Sequence, residues 1–117
     1  MPKLKSFDAT HFSFSVTPSK KILFANNKGQ KTYIKNRMDR MLSKEPETIK
    51  WINSFDKESV FFDIGANIGI YSLYSAIVKQ NLVYAFEPHA ASYKNLLESI
   101  NLNKLQNCNA HCIAMGD

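Results

Sequence analysis

The stretch Val60-Phe61-Phe62-Asp63-Ile64-Gly65-Ala66-Asn67-Ile68-Gly69-Ile70-Tyr71-Ser72-Leu73 restricts the chain more than any other. A short apolar run such as Val60 to Ile64 reads as a strand buried on both faces of a parallel sheet, and the residues after Gly69 turn to helical spacing. Gly65 and Gly69 bracket the turn between them, and without Cβ atoms they let backbone amides approach a ligand closely. In a parallel α/β sheet such a junction falls at the carboxyl edge, where N–H groups and the positive end of a helix converge. The segment therefore reads as a nucleotide-type cofactor site.

The residues that follow repeat the pattern. A helix with almost no charge is expected over 68–79, then a buried strand over Leu82–Phe86. Pro88 opens a second helix, in which Tyr93, Leu96, Leu97 and Ile100 form one apolar stripe at i, i+3, i+4 and i+7. Asn109–Ala114 reads as a third strand. Strand and helix alternating at this spacing imply right-handed crossovers and an α/β fold with a parallel sheet.

Upstream, Phe12–Val16 alternates weakly, enough for one short strand. Lys21–Ala25 and Lys31–Lys35 bracket Asn26-Asn27-Lys28-Gly29-Gln30 and are expected to form a β-hairpin. Ser43–Phe55 reads as a short amphipathic helix with Pro46 in its first turn. The chain is thus one domain, with a lead-in over residues 1–57 and a cofactor-binding half over 58–117.

Composition narrows the class further. With 44% apolar residues in 117, a real core is available. No apolar run reaches the ~18 residues of a membrane span, and Met1-Pro2-Lys3-Leu4-Lys5 does not lead into a secretory signal, so a soluble cytoplasmic protein is expected. Residues 1–57 hold 12 Lys/Arg against 5 Asp/Glu, whereas residues 58–117 hold 3 against 5. The lysines are scattered and accompany no nucleic-acid motif, so they read as a solvated surface and no nucleic-acid partner is expected. Cys108 and Cys112 flank His111, but on a strand their thiols stand roughly 13 Å apart. Neither a disulfide nor a shared metal fits that separation, which leaves free core thiols.

Three acids fall along one edge of the expected sheet. Asp63 ends the first strand and could accept hydrogen bonds from an ammonium group. Glu87 ends the second, and a helix of ~12 residues, about 18 Å, followed by a strand of ~5 residues, about 16 Å, returns the chain to the same edge. A carboxylate there can take both hydroxyls of an adenosine ribose. Asp117 comes next along the edge, within reach of an adenine amino group. The dinucleotide fingerprint needs a glycine where this chain has Asn67, and no phosphate-loop Lys-Ser/Thr follows. A pyrophosphate is disfavoured, and S-adenosylmethionine, which carries a ribose and an amino-acid tail but no phosphate, is favoured.

The run Val60–Leu73, followed by Tyr84-Ala85-Phe86-Glu87-Pro88 and a helix with Asn95-Leu96 and Asn101-Leu102-Asn103, resembles the FkbM-type S-adenosylmethionine-dependent methyltransferases. Lys44-Glu45-Pro46-Glu47-Thr48 with Trp51-Ile52 is similar to that family's lead-in, and Ala114-Met115-Gly116-Asp117 to the segment after its third strand. The resemblance implies a class I, Rossmann-like fold and methyl transfer to a small-molecule hydroxyl acceptor such as a sugar or polyketide. It implies that Asp63, Gly65, Ala66, Asn67 and Gly69 hold the methionine part, Glu87 with Pro88 the ribose side, and Asp117 the adenine, with Glu45 and Thr48 reaching in from the lead-in. Three strands are fewer than such a sheet contains. The resemblance therefore places the acceptor pocket and any base in a missing C-terminal half, makes this part inactive alone, and names no catalytic residue. A competing expectation is a non-catalytic module that self-associates along its open sheet edge.

Overall fold

The computed structural model describes residues 3–6, 11–26, 30–40 and 46–116. Strands β1 (Lys3–Ser6), β2 (His11–Thr17) and β3 (Lys20–Ala25) form an antiparallel sheet in that order. Helices α1 (Gln30–Asp39) and α2 (Pro46–Asn53) lead into a parallel sheet of β4 (Val60–Ile64), β5 (Leu82–Phe86) and β6 (Cys108–His111), again in chain order. Helix α3 (Ile70–Tyr74) runs on into a π-helical turn (Ser75–Lys79), and α4 (Ala90–Leu102) joins β5 to β6. This is the α/β fold with a parallel sheet read from the spacing.

A hairpin does precede the parallel sheet, but its arms are not the expected ones. It joins β2 to β3 through Pro18-Ser19, and Lys31–Lys35 lies inside α1. Its register sets Phe12 opposite Phe24 and Phe14 opposite Ile22, so four apolar side chains share one buried face, and cross-strand pairs of this kind stabilise a sheet. Asn27-Lys28-Gly29 lie outside the described residues.

Helix α4 corrects a second expectation. Its buried face is Asn95, Leu96, Ser99 and Ile100, while Leu97 is exposed. The physical cause is the free edge of β3. Ala25 N–H donates to Ser99 Oγ (2.9 Å), Leu23 N–H donates to Asn103 Oδ1 (2.9 Å), and Asn103 Nδ2 donates back to Leu23 O (2.7 Å). Four helical residues rise about 6 Å, and two strand residues about 6.7 Å, so Ser99 and Asn103 match alternate backbone groups of β3. The edge is thereby closed against further strand pairing, which a purely apolar helix face could not achieve.

In the parallel sheet, Phe61, Val83 and Cys108 stand in one row and Asp63, Ala85 and Ala110 in another, on the face that the helices cover. The opposite face is bare. Phe62 (60% exposed) and Ile64 (54%) stand on it, contrary to the expectation of burial on both sides, and the Phe62, Tyr84, Phe86 and His111 rings stack along it. No described helix lies over these residues. Strand β6 ends at His111, earlier than expected, because the chain leaves the ladder there. Consequently Cys108 is a core thiol, pushed up to about 12 by burial and then by the Asp63 charge, but Cys112 is exposed.

The amino edge of the sheet is fastened by two asparagines. Asn81, fully buried, accepts from Ser75 Oγ (3.0 Å) and donates to Asp56 O (2.7 Å) and Lys57 O (3.2 Å). Asn107 Nδ2 donates to Ala76 O (2.9 Å) and Asn81 O (2.8 Å). One apolar cluster, from Phe12 and Phe24 through Ile34 and Ile52 to Leu73 and Leu96, ties the two sheets together.

Candidate cofactor site

At the carboxyl edge of β4 the backbone takes an unusual path. Gly65 (φ +74°), Asn67 (φ +57°) and Gly69 (φ +91°) are all left-handed, with Ala66 and Ile68 between them. Glycine adopts this region freely, and asparagine is among the side-chain-bearing residues that tolerate it best. At Gly69 a Cβ would also stand 2.2 Å from Leu96 Cδ1, so the turn sits directly on α4. At Gly65 a Cβ would meet nothing within 4 Å.

The turn is braced from β5. Gly65 N–H and Ala66 N–H both donate to Phe86 O (2.8 and 3.0 Å), and Asn67 N–H donates to Glu87 Oε1 (2.7 Å). Glu87 Oε2 accepts from His89 N–H (2.8 Å), and the residue is only 7% exposed. Three successive amides expected to face a ligand are therefore engaged by the end of β5. Asp63, Gly65, Ala66, Asn67, Gly69, Glu87 and Pro88 do stand on one rim, and each Glu87 oxygen keeps a second lone pair. In this conformation Glu87 holds the turn to the start of α4, which His89 caps through Nδ1.

Asp63 projects to the helix-covered face, where Ser72 Oγ donates to its Oδ2 (2.6 Å). Burial pushes its carboxyl above the usual range; the hydrogen bonds from the Ser72 hydroxyl and main chain pull it back in part, and the Glu87 charge adds to the rise. A carboxylate held in this way stabilises a cation placed beside it.

Beside the turn lies a cavity of about 180 Å³ lined by Arg37, Asp63, Ile64, Gly65, Ala66, Asn67, Ile68, Ile70 and Tyr71. Its far wall is α1. Asn67 Nδ2 donates to Tyr33 Oη, fixing α1 against the turn, and Arg37, one helical turn on, reaches the cavity. Neither Tyr33 nor Arg37 is among the site residues expected from the sequence: Tyr33 falls in Lys31–Lys35, which reads as a strand, and Arg37 lies outside every expected element. The sequence of α1 carries no amphipathic stripe that marks it as a helix. Thr48 is half-buried on α2 and does not line the cavity. Glu45 and Asp117 lie outside the described residues. Among the described residues, no cluster of His, Cys, Asp and Glu could hold a metal ion.

No protein-family model matches the sequence, and no curated protein matches it. Solved structures do share the fold. TYW2 of M. jannaschii in complex with AdoMet is 22% identical with a TM-score of 0.55, over 92% of this chain and 45% of that one. A SAM-dependent methyltransferase from Agrobacterium tumefaciens is 12% identical (TM-score 0.58, 94% and 34%). Trm5b from Pyrococcus abyssi is 19% identical (TM-score 0.56, 100% and 36%). The chain thus spans less than half the length of each of these structures. What it shares with them is the fold of the N-terminal half of a Rossmann-like methyltransferase domain.

Proposed function

We propose that this chain forms the cofactor-binding part of an S-adenosylmethionine-dependent methyltransferase. The observation that carries the reading is the small cavity at the carboxyl edge of β4, set against a left-handed turn in a fold shared with such enzymes. The hydrogen bonding favours a phosphate-free ligand. A pyrophosphate is normally received by free backbone N–H groups at such a turn, and those of Gly65, Ala66 and Asn67 already have partners. Asp63 suits an ammonium group, and Glu87, with one lone pair free on each oxygen, suits the ribose hydroxyls once the rim opens.

When bound, the sulfonium cofactor supplies the activated methyl group. The described residues bind and orient it, and the bare sheet face at Phe62 and Ile64, with the open edge of β4, receives the further strands and helices of a longer domain. The resemblance to FkbM-type enzymes supports a small-molecule hydroxyl acceptor. No described helix is long and apolar enough to cross a membrane.

Calorimetry on the full-length protein tests the reading. S-adenosylhomocysteine is expected to bind with NAD binding far more weakly or not at all; a preference for NAD would overturn it. A Glu87→Ala variant would not separate the roles, since that side chain braces the turn as well as facing the rim.

A further inference from the structure

The cavity beside the turn is lined by opposite charges. Asp63 stands on the β4 side and Arg37 on the α1 side, and both line the same space. They do not neutralise each other: Arg37 is absent from the groups that act on Asp63, and its side chain makes no ion pair or hydrogen bond with any described residue. Arg37 is half-buried and reaches the cavity as a cation with no described counter-charge. A guanidinium with no counter-charge in a cavity wall favours an anion there.

The size of the cavity limits what that ligand can be. At about 180 Å³ it is well below the ~300–1,000 Å³ that encloses a whole cofactor-sized ligand. It fits a fragment, and the two charges describe the fragment as a zwitterion. The engaged amides of the turn sharpen the point. A carboxylate entering beside Gly65, Ala66 and Asn67 finds their N–H groups already donated to Phe86 and Glu87, and the remaining cation on the wall is Arg37.

Resting on the cofactor reading above, we infer that Arg37 anchors the carboxylate of the cofactor's amino-acid tail while Asp63 receives its ammonium, so that α1 selects for an adenosyl ligand with an intact tail. A guanidinium presents parallel N–H donors that match a carboxylate in a two-point contact. The Asn67–Tyr33 hydrogen bond fixes the helix that delivers it, so Tyr33 is a positioning residue.

The experiment compares two ligands on the full-length protein: S-adenosylhomocysteine, which has the tail, and 5′-methylthioadenosine, which lacks it. Affinities are measured by calorimetry for the native protein, Arg37→Met and Arg37→Lys. Loss of charge-assisted hydrogen bonds is expected to weaken S-adenosylhomocysteine in Arg37→Met by about 10- to 100-fold. Methylthioadenosine is expected to bind unchanged, and Arg37→Lys to recover part of the loss. If Arg37→Met binds S-adenosylhomocysteine as the native protein does, or weakens both ligands in parallel, the role of Arg37 is overturned while the cofactor reading stands. If the native protein binds neither ligand, the cofactor reading fails and takes this assignment with it.

Discussion

The two ends of the parallel sheet both bury polar groups, but they do so in opposite ways. At the amino edge, Asn81 and Asn107 are neutral, and their amides go to backbone carbonyls and a serine hydroxyl, so that edge is closed. At the carboxyl edge, Asp63, Glu87 and Arg37 carry charge, and the acid and the guanidinium facing the cavity have no ion partner among the described residues. Neutral groups with complete hydrogen bonding stabilise a fold, whereas charges without counter-charges lower stability in exchange for binding. The contrast separates groups that hold the sheet from groups that serve a ligand.

The largest effect on stability is expected at the amino edge. Asn81→Leu removes the donors to Asp56 O and Lys57 O and the acceptor for Ser75 Oγ, and it should cost roughly 2–4 kcal/mol in denaturant unfolding. Affinity for S-adenosylhomocysteine in the protein that remains folded should be unaltered. A loss of affinity without a loss of stability would erase the distinction between the edges.

Asp63→Asn should do the reverse. The carboxyl is raised in the folded state, so between its unfolded and folded values the native protein holds the proton and the unfolded chain does not. Native stability from this group is therefore present at low pH and lost as pH rises through the folded value. Burial is the main cause; Glu87 beyond β5 adds to it, Ser72 on α3 opposes it, and Cys108 on β6 and Arg37 on α1 complete the surroundings. Removing the charge should raise the melting temperature at neutral pH, with the gain fading as pH falls below the folded value, and should weaken S-adenosylhomocysteine. A variant less stable than the native protein at neutral pH would assign Asp63 to structure.

The sequence made the carboxyl edge legible because its demands are local. A left-handed turn needs residues such as Gly65, Asn67 and Gly69, and apolar five-residue strands with 24 positions from Asp63 to Glu87 return the chain to one rim. Other features depended on long-range packing and could not be read in the same way. Ser99 and Asn103 face inward because β3 presents an unpaired edge 74 and 80 residues away from them, and nothing in the spacing of α4 announces it. Tyr33 and Arg37 were missed for a related reason. Lys31–Lys35 has strand-like composition, but β3 already pairs with β2, and the segment instead forms α1 with Ile34 buried, although its own sequence carries little amphipathic pattern. Where the turn's amides point was equally hidden, since Phe86 O and Glu87 claim them only once β5 is in place.

Amide and side-chain shifts in ¹⁵N-labelled full-length protein, followed by NMR as S-adenosylhomocysteine is added, test the division between the two edges most directly. The expected changes gather at Gly65–Ile70, at His89 and at the Arg37 guanidinium, while the Asn81 and Asn107 side-chain amides stay where they were. Saturating ligand that moves the asparagines and leaves Gly65–Ile70 and Arg37 unmoved would contradict it.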